Sequence, residues 1–284
     1  MNEGFQEVRI LDNYYQTSSF FPMPVVLVST LAENGQTNLG PYSLCFPHMI
    51  AGGHAMMLIT RSSSNTANNI RRTGLAALNF IPAHRRFLAS CVRLGFPGDE
   101  TAEKMKGSVF TLRPSCREQM GSTPYPQIVQ ESVQVFECTW DPAHDDSPSP
   151  DESHFLLRIE KIVMPKHWHD ALLAGGRFPS LPVDYGYRDD SRFWFCRHGR
   201  PFAIGIPKGK GSDASTVLYQ AQRLDPDIQW EPEACAKLAG VPRLFLKQVL
   251  SGVNAEARKR GISRITPGLL DELREKRAGE PGRR

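Results

Sequence analysis

Between Met23 and Met164 the chain is made of short β-branched and apolar runs, most of them closed by turn-forming residues, and this pattern restricts the region to a β-rich architecture. Val25–Thr30 (VVLVST) is followed by Glu33-Asn34-Gly35, which predicts a hairpin after the first strand. Further strands are predicted over Ala55–Thr60, Ala76–Ile81, Val133–Trp140 and Phe155–Met164. Alternation in Val133–Cys138 and Leu157–Val163 marks the last two as half-buried. Short strands separated by turns point to a barrel or sandwich rather than a parallel sheet.

One helix interrupts the series. In Ser64–Gly74 (SNTANNIRRTG), small polar residues cap the start, Arg71 and Arg72 suit the last turn, and Gly74 suits a left-handed stop. Asp141–Ser153 is acidic and turn-forming, and reads as a solvated hairpin loop. A composition break at Pro207–Ser215 is followed by helical spacing: Val241, Phe245, Val249 and Val253 recur every four residues, joined by Leu246 and Leu250. Gly261 ends that helix, and Thr266-Pro267 starts another whose buried side is Leu269, Leu270 and Leu273. The expected organisation is a main domain over 1–210, a linker over 211–227 and a helical domain over 228–284 with a disordered basic tail.

A formal charge of +4, with basic residues scattered except near the C-terminal end, gives no footprint for nucleic acid. No stretch approaches the roughly 20 apolar residues that cross a bilayer, and the N-terminus lacks a signal-peptide layout, so a cytoplasmic protein is expected. Six cysteines without a Cys-x-x-Cys pair read as reduced thiols, and the histidines stand apart from any set of metal ligands, so no metal is expected.

The segment Leu58–Ile70 has a physical reason to hold phosphate. Arg61 brings a permanent charge, Ser62, Ser63, Ser64 and Thr66 bring hydroxyls, and the amides of the first helical turn are unsatisfied. The same residues also read as a capped helix start with Arg61 in water, and this stretch alone leaves both readings open.

Three motifs taken together carry more. Pro22-Met-Pro-Val-Val-Leu-Val-Ser-Thr30, Asn38-Leu-Gly-Pro-Tyr-Ser43 and Thr66-Ala-Asn-Asn-Ile70 with Gly74 and Asn79 resemble, in order and spacing, the flavin reductase-like FMN-binding split-barrel family. The resemblance implies a mainly β fold with flanking helices, an FMN-binding split β-barrel followed by a small all-α C-terminal domain. It implies that Asn38, Tyr42, Ser43 and Leu44 meet the isoalloxazine ring, with the Ser43 hydroxyl near its polar edge, and that Arg61, Ser62, Ser63 and Thr66 hold the phosphate. It also implies a homodimer. Many members carry Lys where this chain has Arg61 followed by three serines, which leaves the individual contacts open.

The C-terminal segment resembles the small domain that ends one subunit of light-independent protochlorophyllide reductase, through Trp230-Glu-Pro-Glu-Ala234, Val241-Pro242 and Glu256–Thr266. This implies a helical appendage associated with redox proteins, near a tetrapyrrole or redox partner, or a bracing domain. The function implied is an FMN-dependent oxidoreductase that takes hydride from transiently bound NAD(P)H and passes electrons to an unknown acceptor. The alternative is a flavin- or tetrapyrrole-binding electron-transfer protein without small-molecule turnover. Hydride transfer to a flavin requires no acid–base residue, so no catalytic residue is nominated. Asp184–Asp190 and Phe193–Phe195 read as site fringe or as core, and Arg71, Arg72, Arg85 and Arg86 as nucleotide contacts or solvated charge.

Overall fold

A computed structural model describes residues 4–50, 53–96, 100–117, 119–145, 147–174, 177–189, 192–205 and 214–279. The chain divides after Pro201 into two units.

The first unit is built on strands β1 (Val26–Leu31), β2 (Thr37–Tyr42), β3 (Cys45–Met49) and β4 (Ala55–Arg61), helix α1 (Asn65–Thr73), β5 (Leu75–Phe80), helix α2 (Arg85–Leu94), β6 (Gln134–Asp145) and β7 (Glu152–Val163). The strands form one seven-stranded antiparallel sheet in the order β2-β1-β5-β6-β7-β4-β3, curled into a half-barrel. A smaller sheet joins Met23–Pro24 to β8 (Pro182–Asp189) and β9 (Arg192–Arg197).

Strand β1 is buried along its whole length, Ser29 and Thr30 included, because both of its faces are covered. Val26 and Val28 point into a core shared with Leu58, Leu78, Phe155 and Ile70 of α1. Leu27, on the opposite face, joins Ile81 and the Phe87, Cys91 and Leu94 side of α2. Helix α1 forms where its local signals place it. The Ser64 hydroxyl accepts from the Ala67 amide at 3.1 Å, and Gly74 closes the helix at φ 67° with its amide on the Ile70 carbonyl.

Two sequence expectations need correction here. The acidic segment 141–153 is not all loop: β6 runs on to Asp145 and β7 begins at Glu152, a ladder in which Glu152 pairs with Arg61. Exposed strand ends tolerate polar side chains, so acidity hid the pairing. The linker expected over 211–227 contains helix α3 (Ala214–Leu224), whose Val217 and Ala221, one turn apart, are buried in the second unit's core.

The second unit continues with α4 (Pro232–Leu238), α5 (Arg243–Lys259) and α6 (Pro267–Gly279), and the parallel pair Gln229–Trp230 with Arg264–Ile265. Its core gathers Val217, Trp230, Leu246, Leu250 and Ile265. The Trp230 indole donates to Asn254 Oδ1 at 3.1 Å. Gly261 follows α5 at φ 66°, and the Thr266 hydroxyl caps α6 by accepting from the Leu269 amide at 3.2 Å. The end of the basic tail, 280–284, lies outside the described residues. No helix among the described residues is long and apolar enough to cross a membrane.

Because Ile70 is the fully buried contact of α1 on the sheet, Ile70→Ala is expected to destabilise the first unit by about 2–5 kcal/mol, read as a lower urea midpoint at unchanged slope.

Candidate functional site

Strand β2 lies beside β1 at the edge of the sheet, with the start of α1 against both. Asn38 is fully buried on this strand. Its Nδ2 reaches Thr30 Oγ1 and Thr66 Oγ1, each at 3.4 Å, and Asn69 Nδ2 donates to the same Thr30 oxygen at 3.1 Å. Asn38 Oδ1 is buried and finds no donor among the described residues. An acceptor left in that state costs about 1–3 kcal/mol, and Thr60 Oγ1, Ser132 Oγ, Glu137 Oε2 and Trp140 Nε1 are buried in the same way among the described residues.

Two positions along, Gly40 allows the close approach. A Cβ there would lie 2.6 Å from Thr66 Oγ1 and 2.9 Å from the Tyr42 ring. Tyr42 then donates its hydroxyl to Ser64 Oγ at 3.3 Å, and burial pushes its phenol up. Beyond the strand, Ser43 Oγ donates to Asp184 Oδ2 at 2.5 Å, and the Leu44 carbonyl accepts from the Ile59 amide at 2.9 Å. Cys45 turns into the core, where burial raises its thiol to about 12.

The second segment is held from below. Ser62 Oγ and Ser153 Oγ are 2.8 Å apart, and the Ser62 amide donates to the Asp151 carbonyl at 2.9 Å. Arg71 Nη1 donates to the Ser62 carbonyl at 2.9 Å, its Nη2 donates to Ser153 Oγ, and its guanidinium lies 5.7 Å from the centre of the Phe155 ring. Arg61 and Ser63 are exposed at the mouth. The half-buried Tyr15, on the short turn Tyr14–Thr17, has its phenol raised by burial and then by Glu152, with Arg61 acting in the opposite sense.

The two sequence segments are therefore one place, joined through Asn38–Thr66 and Tyr42–Ser64. Within it the predicted residues differ in what they face. Arg61 and Ser63 meet solvent, Ser62 leans on Ser153, and the Thr66 hydroxyl turns inward to Asn38. In the sequence Asp184 reads as site fringe or core, Ser153 as part of a loop, and Arg71 as a last-turn residue that is a nucleotide contact or solvated charge; their bonds to Ser43 and Ser62 are seen only in the structure. Asp184 is buried, and its other oxygen accepts from the Gly186 amide at 2.7 Å. The signal for it lay in the Asp184-x-Gly186 turn, where Gly186 stands at φ 77° against Gln16.

As chemistry, the arrangement sets an exposed guanidinium, two hydroxyls and the first-turn amides of a nine-residue helix beside a buried amide oxygen. Such groups at a helix start are of the kind that receive an anion such as phosphate. The chain matches no family model and no curated protein. Solved structures are similar to it over the first unit's extent. Flavoredoxin from Methanosarcina acetivorans aligns at TM-score 0.53 and 16% identity, covering 72% of this chain and 98% of that one. Nitrilotriacetate monooxygenase component B from Bacillus cereus aligns at 0.52 and 16%, covering 71% and 100%. The Pseudomonas fluorescens 2-nitrobenzoate 2-nitroreductase aligns at 0.52 and 19%, covering 66% and 86%. The first unit is a split β-barrel.

Two outcomes follow from the site's packing. Gly40→Ala is expected to cost about 1–3 kcal/mol by forcing Thr66 aside, and Thr66→Ala in the same chain is expected to recover part of that loss, as measured in urea. Asp184 is the second case. Burial first, only partly offset by Ser43 and Gly186, pushes its carboxyl above the ordinary 3.8. The native state then holds the proton at a pH where the unfolded chain has lost it. Wild type is expected to lose stability, relative to Asp184→Asn, as pH rises from 3.8 through the raised value, in unfolding curves run at matched ionic strength.

Proposed function

We propose that the first unit binds FMN and acts as an oxidoreductase of the flavin reductase type. In this reading Asn38, Tyr42, Ser43 and Leu44 meet the ring, while Arg61, Ser62, Ser63 and the first-turn amides of α1 receive the phosphate, the Thr66 hydroxyl being turned inward to Asn38. The observation that carries it is the joining of the two segments through Asn38–Thr66 and Tyr42–Ser64, which sets the exposed Arg61 and Ser63 beside the start of α1. The names of the similar structures, a flavoredoxin, a nitroreductase and a monooxygenase component, support a redox role.

The bound flavin would supply the electron-transfer chemistry, and the protein would position its ring and exclude water from one face. NAD(P)H is the hydride donor in this reading, bound transiently, since the sequence holds no Gly-x-Gly-x-x-Gly fingerprint. The acceptor belongs to whatever docks afterwards. A homodimer is part of the proposal. The outer strand β3 exposes Phe46 and Met49, with Ile50 following, an apolar edge of the kind that pairing covers.

An electron carrier without small-molecule turnover is the second reading. It is favoured by the second unit, which has a cavity of about 520 Å³ lined by Leu238, Val253 and Leu270 and by the charged Lys237, Lys259, Arg274 and Lys276 with Glu256 and Asp271, so that the basic residues outnumber the acidic ones. Such a cleft suits an acidic redox partner or a carboxylate-bearing tetrapyrrole.

Visible absorbance separates these readings. The purified protein, loaded with FMN, is expected to show a flavin spectrum that bleaches on anaerobic addition of NADH or NADPH. A spectrum that persists supports the carrier, and a protein that takes up no FMN refutes the flavin reading. Arg61→Ala is expected to weaken FMN roughly tenfold while leaving riboflavin nearly unchanged, because only FMN carries the phosphate that Arg61 would meet.

A further inference from the structure

We propose that Asp184 is a positioning residue that makes Ser43 a hydrogen-bond acceptor at the flavin's polar edge, so that this edge of the site selects a ring N–H; the inference rests on the flavin reading above. A serine hydroxyl has one proton and two lone pairs. Here the proton is committed: Ser43 Oγ donates to Asp184 Oδ2 at 2.5 Å, so the lone pairs are what the oxygen presents elsewhere. The carboxylate is itself fixed. Asp184 sits in β8 between Met23 and Phe195 on the two flanking strands, and the Gly186 amide donates to its Oδ1 at 2.7 Å. Gly186 stands at φ 77° with the Gln16 side chain where a Cβ would go, so this turn admits no other residue without displacing Gln16.

The isoalloxazine edge matches an acceptor. Its ring carries one N–H, at N3, between two carbonyls. A donor hydroxyl there would face that N–H proton to proton, whereas an acceptor completes it. Asp184 therefore acts through Ser43 and need not touch the ring.

The geometry also says how to reverse the arrangement. In Asp184→Asn the Gly186 amide still requires an oxygen, so the carboxamide oxygen stays there and its NH₂ faces Ser43. Ser43 then becomes the acceptor of that NH₂ and turns its own proton toward the ligand. Protonation of Asp184 on Oδ2 does the same. The titratable groups whose charge is felt alongside Asp184 are Tyr15 and Cys91, the phenol raised and the thiol at about 12, so both stay neutral in the acid range. No cation is bonded to Asp184 among the described residues.

The test is a set of fluorescence titrations of the full-length protein with FMN and with riboflavin, in wild type, Asp184→Asn, Ser43→Ala and the double variant. Asp184→Asn is expected to weaken both flavins roughly tenfold, the worth of one hydrogen bond reversed. In the Ser43→Ala background the same change is expected to have no further effect. Riboflavin has no phosphate to titrate, and its wild-type affinity is expected to fall as pH is lowered through the Asp184 pKa and to stay flat in both single variants. An N3-methylated FMN is expected to lose more affinity in wild type than in Ser43→Ala. Equal FMN affinity in wild type and Asp184→Asn, or a loss that persists without the Ser43 hydroxyl, overturns the inference while leaving flavin binding intact. If wild type binds neither flavin, the underlying reading is what fails. Should Asp184→Asn prove unstable by thermal melt, the pH profile of Ser43→Ala decides alone: a slope like that of wild type overturns the inference.

Discussion

The buried amide of Asn38 is the constraint on which the rest of the first unit depends. A side-chain amide in the interior has four hydrogen-bonding positions to fill, and each one left open costs free energy that packing must offset. Here Thr30 and Thr66 take the NH₂ side, which ties β2 to β1 and to the first turn of α1. The short approach demands glycine at position 40 and places Tyr42 over Ser64. The remaining oxygen has no protein donor. The fold thus fills the two donor positions of this buried amide and leaves its acceptor positions without a protein partner among the described residues.

The surroundings keep that half rigid. β1 and β5 are sealed on both faces, and α1 is fastened to them through Ile70 and Ala67. Arg71 works as a strut, donating to the Ser62 carbonyl and the Ser153 hydroxyl, while Arg61 is exposed beside them. The second unit has a separate core around Trp230 and Leu250 and a bidentate pair between Arg258 and Asp225, which holds that carboxyl below its usual range.

Much of this was legible in the sequence wherever the cause was local. Helix α1 is announced by Ser64 at its start and Gly74 at its end, and both signals act within one turn. β1 and β5 show as mostly apolar runs because both faces are buried, α5 shows in the four-residue spacing of Val249 and Val253, and α6 in the three-residue spacing of Leu270 and Leu273. The missed parts are non-local or weakly patterned. Ser43 and Asp184 are 141 residues apart, so neither announces the other. Helix α3 offers only Val217 and Ala221 as its inner face, too short a pattern to stand out beside a Gly/Lys/Ser-rich stretch. Whether the Thr66 hydroxyl points outward to a phosphate or inward to Asn38 is decided by Gly40, on another strand. The roles of Arg61 and Arg71 separate only when β7 brings Ser153 beneath the loop.

The central claim is that β2 with its following turn and the start of α1 form one flavin site. Hydrogen–deuterium exchange with and without saturating FMN tests it directly. The account expects slowed exchange in peptides covering 38–44 and 61–67 together, with the second unit unchanged. Protection confined to one of the two segments, or appearing only in the second unit, would contradict it.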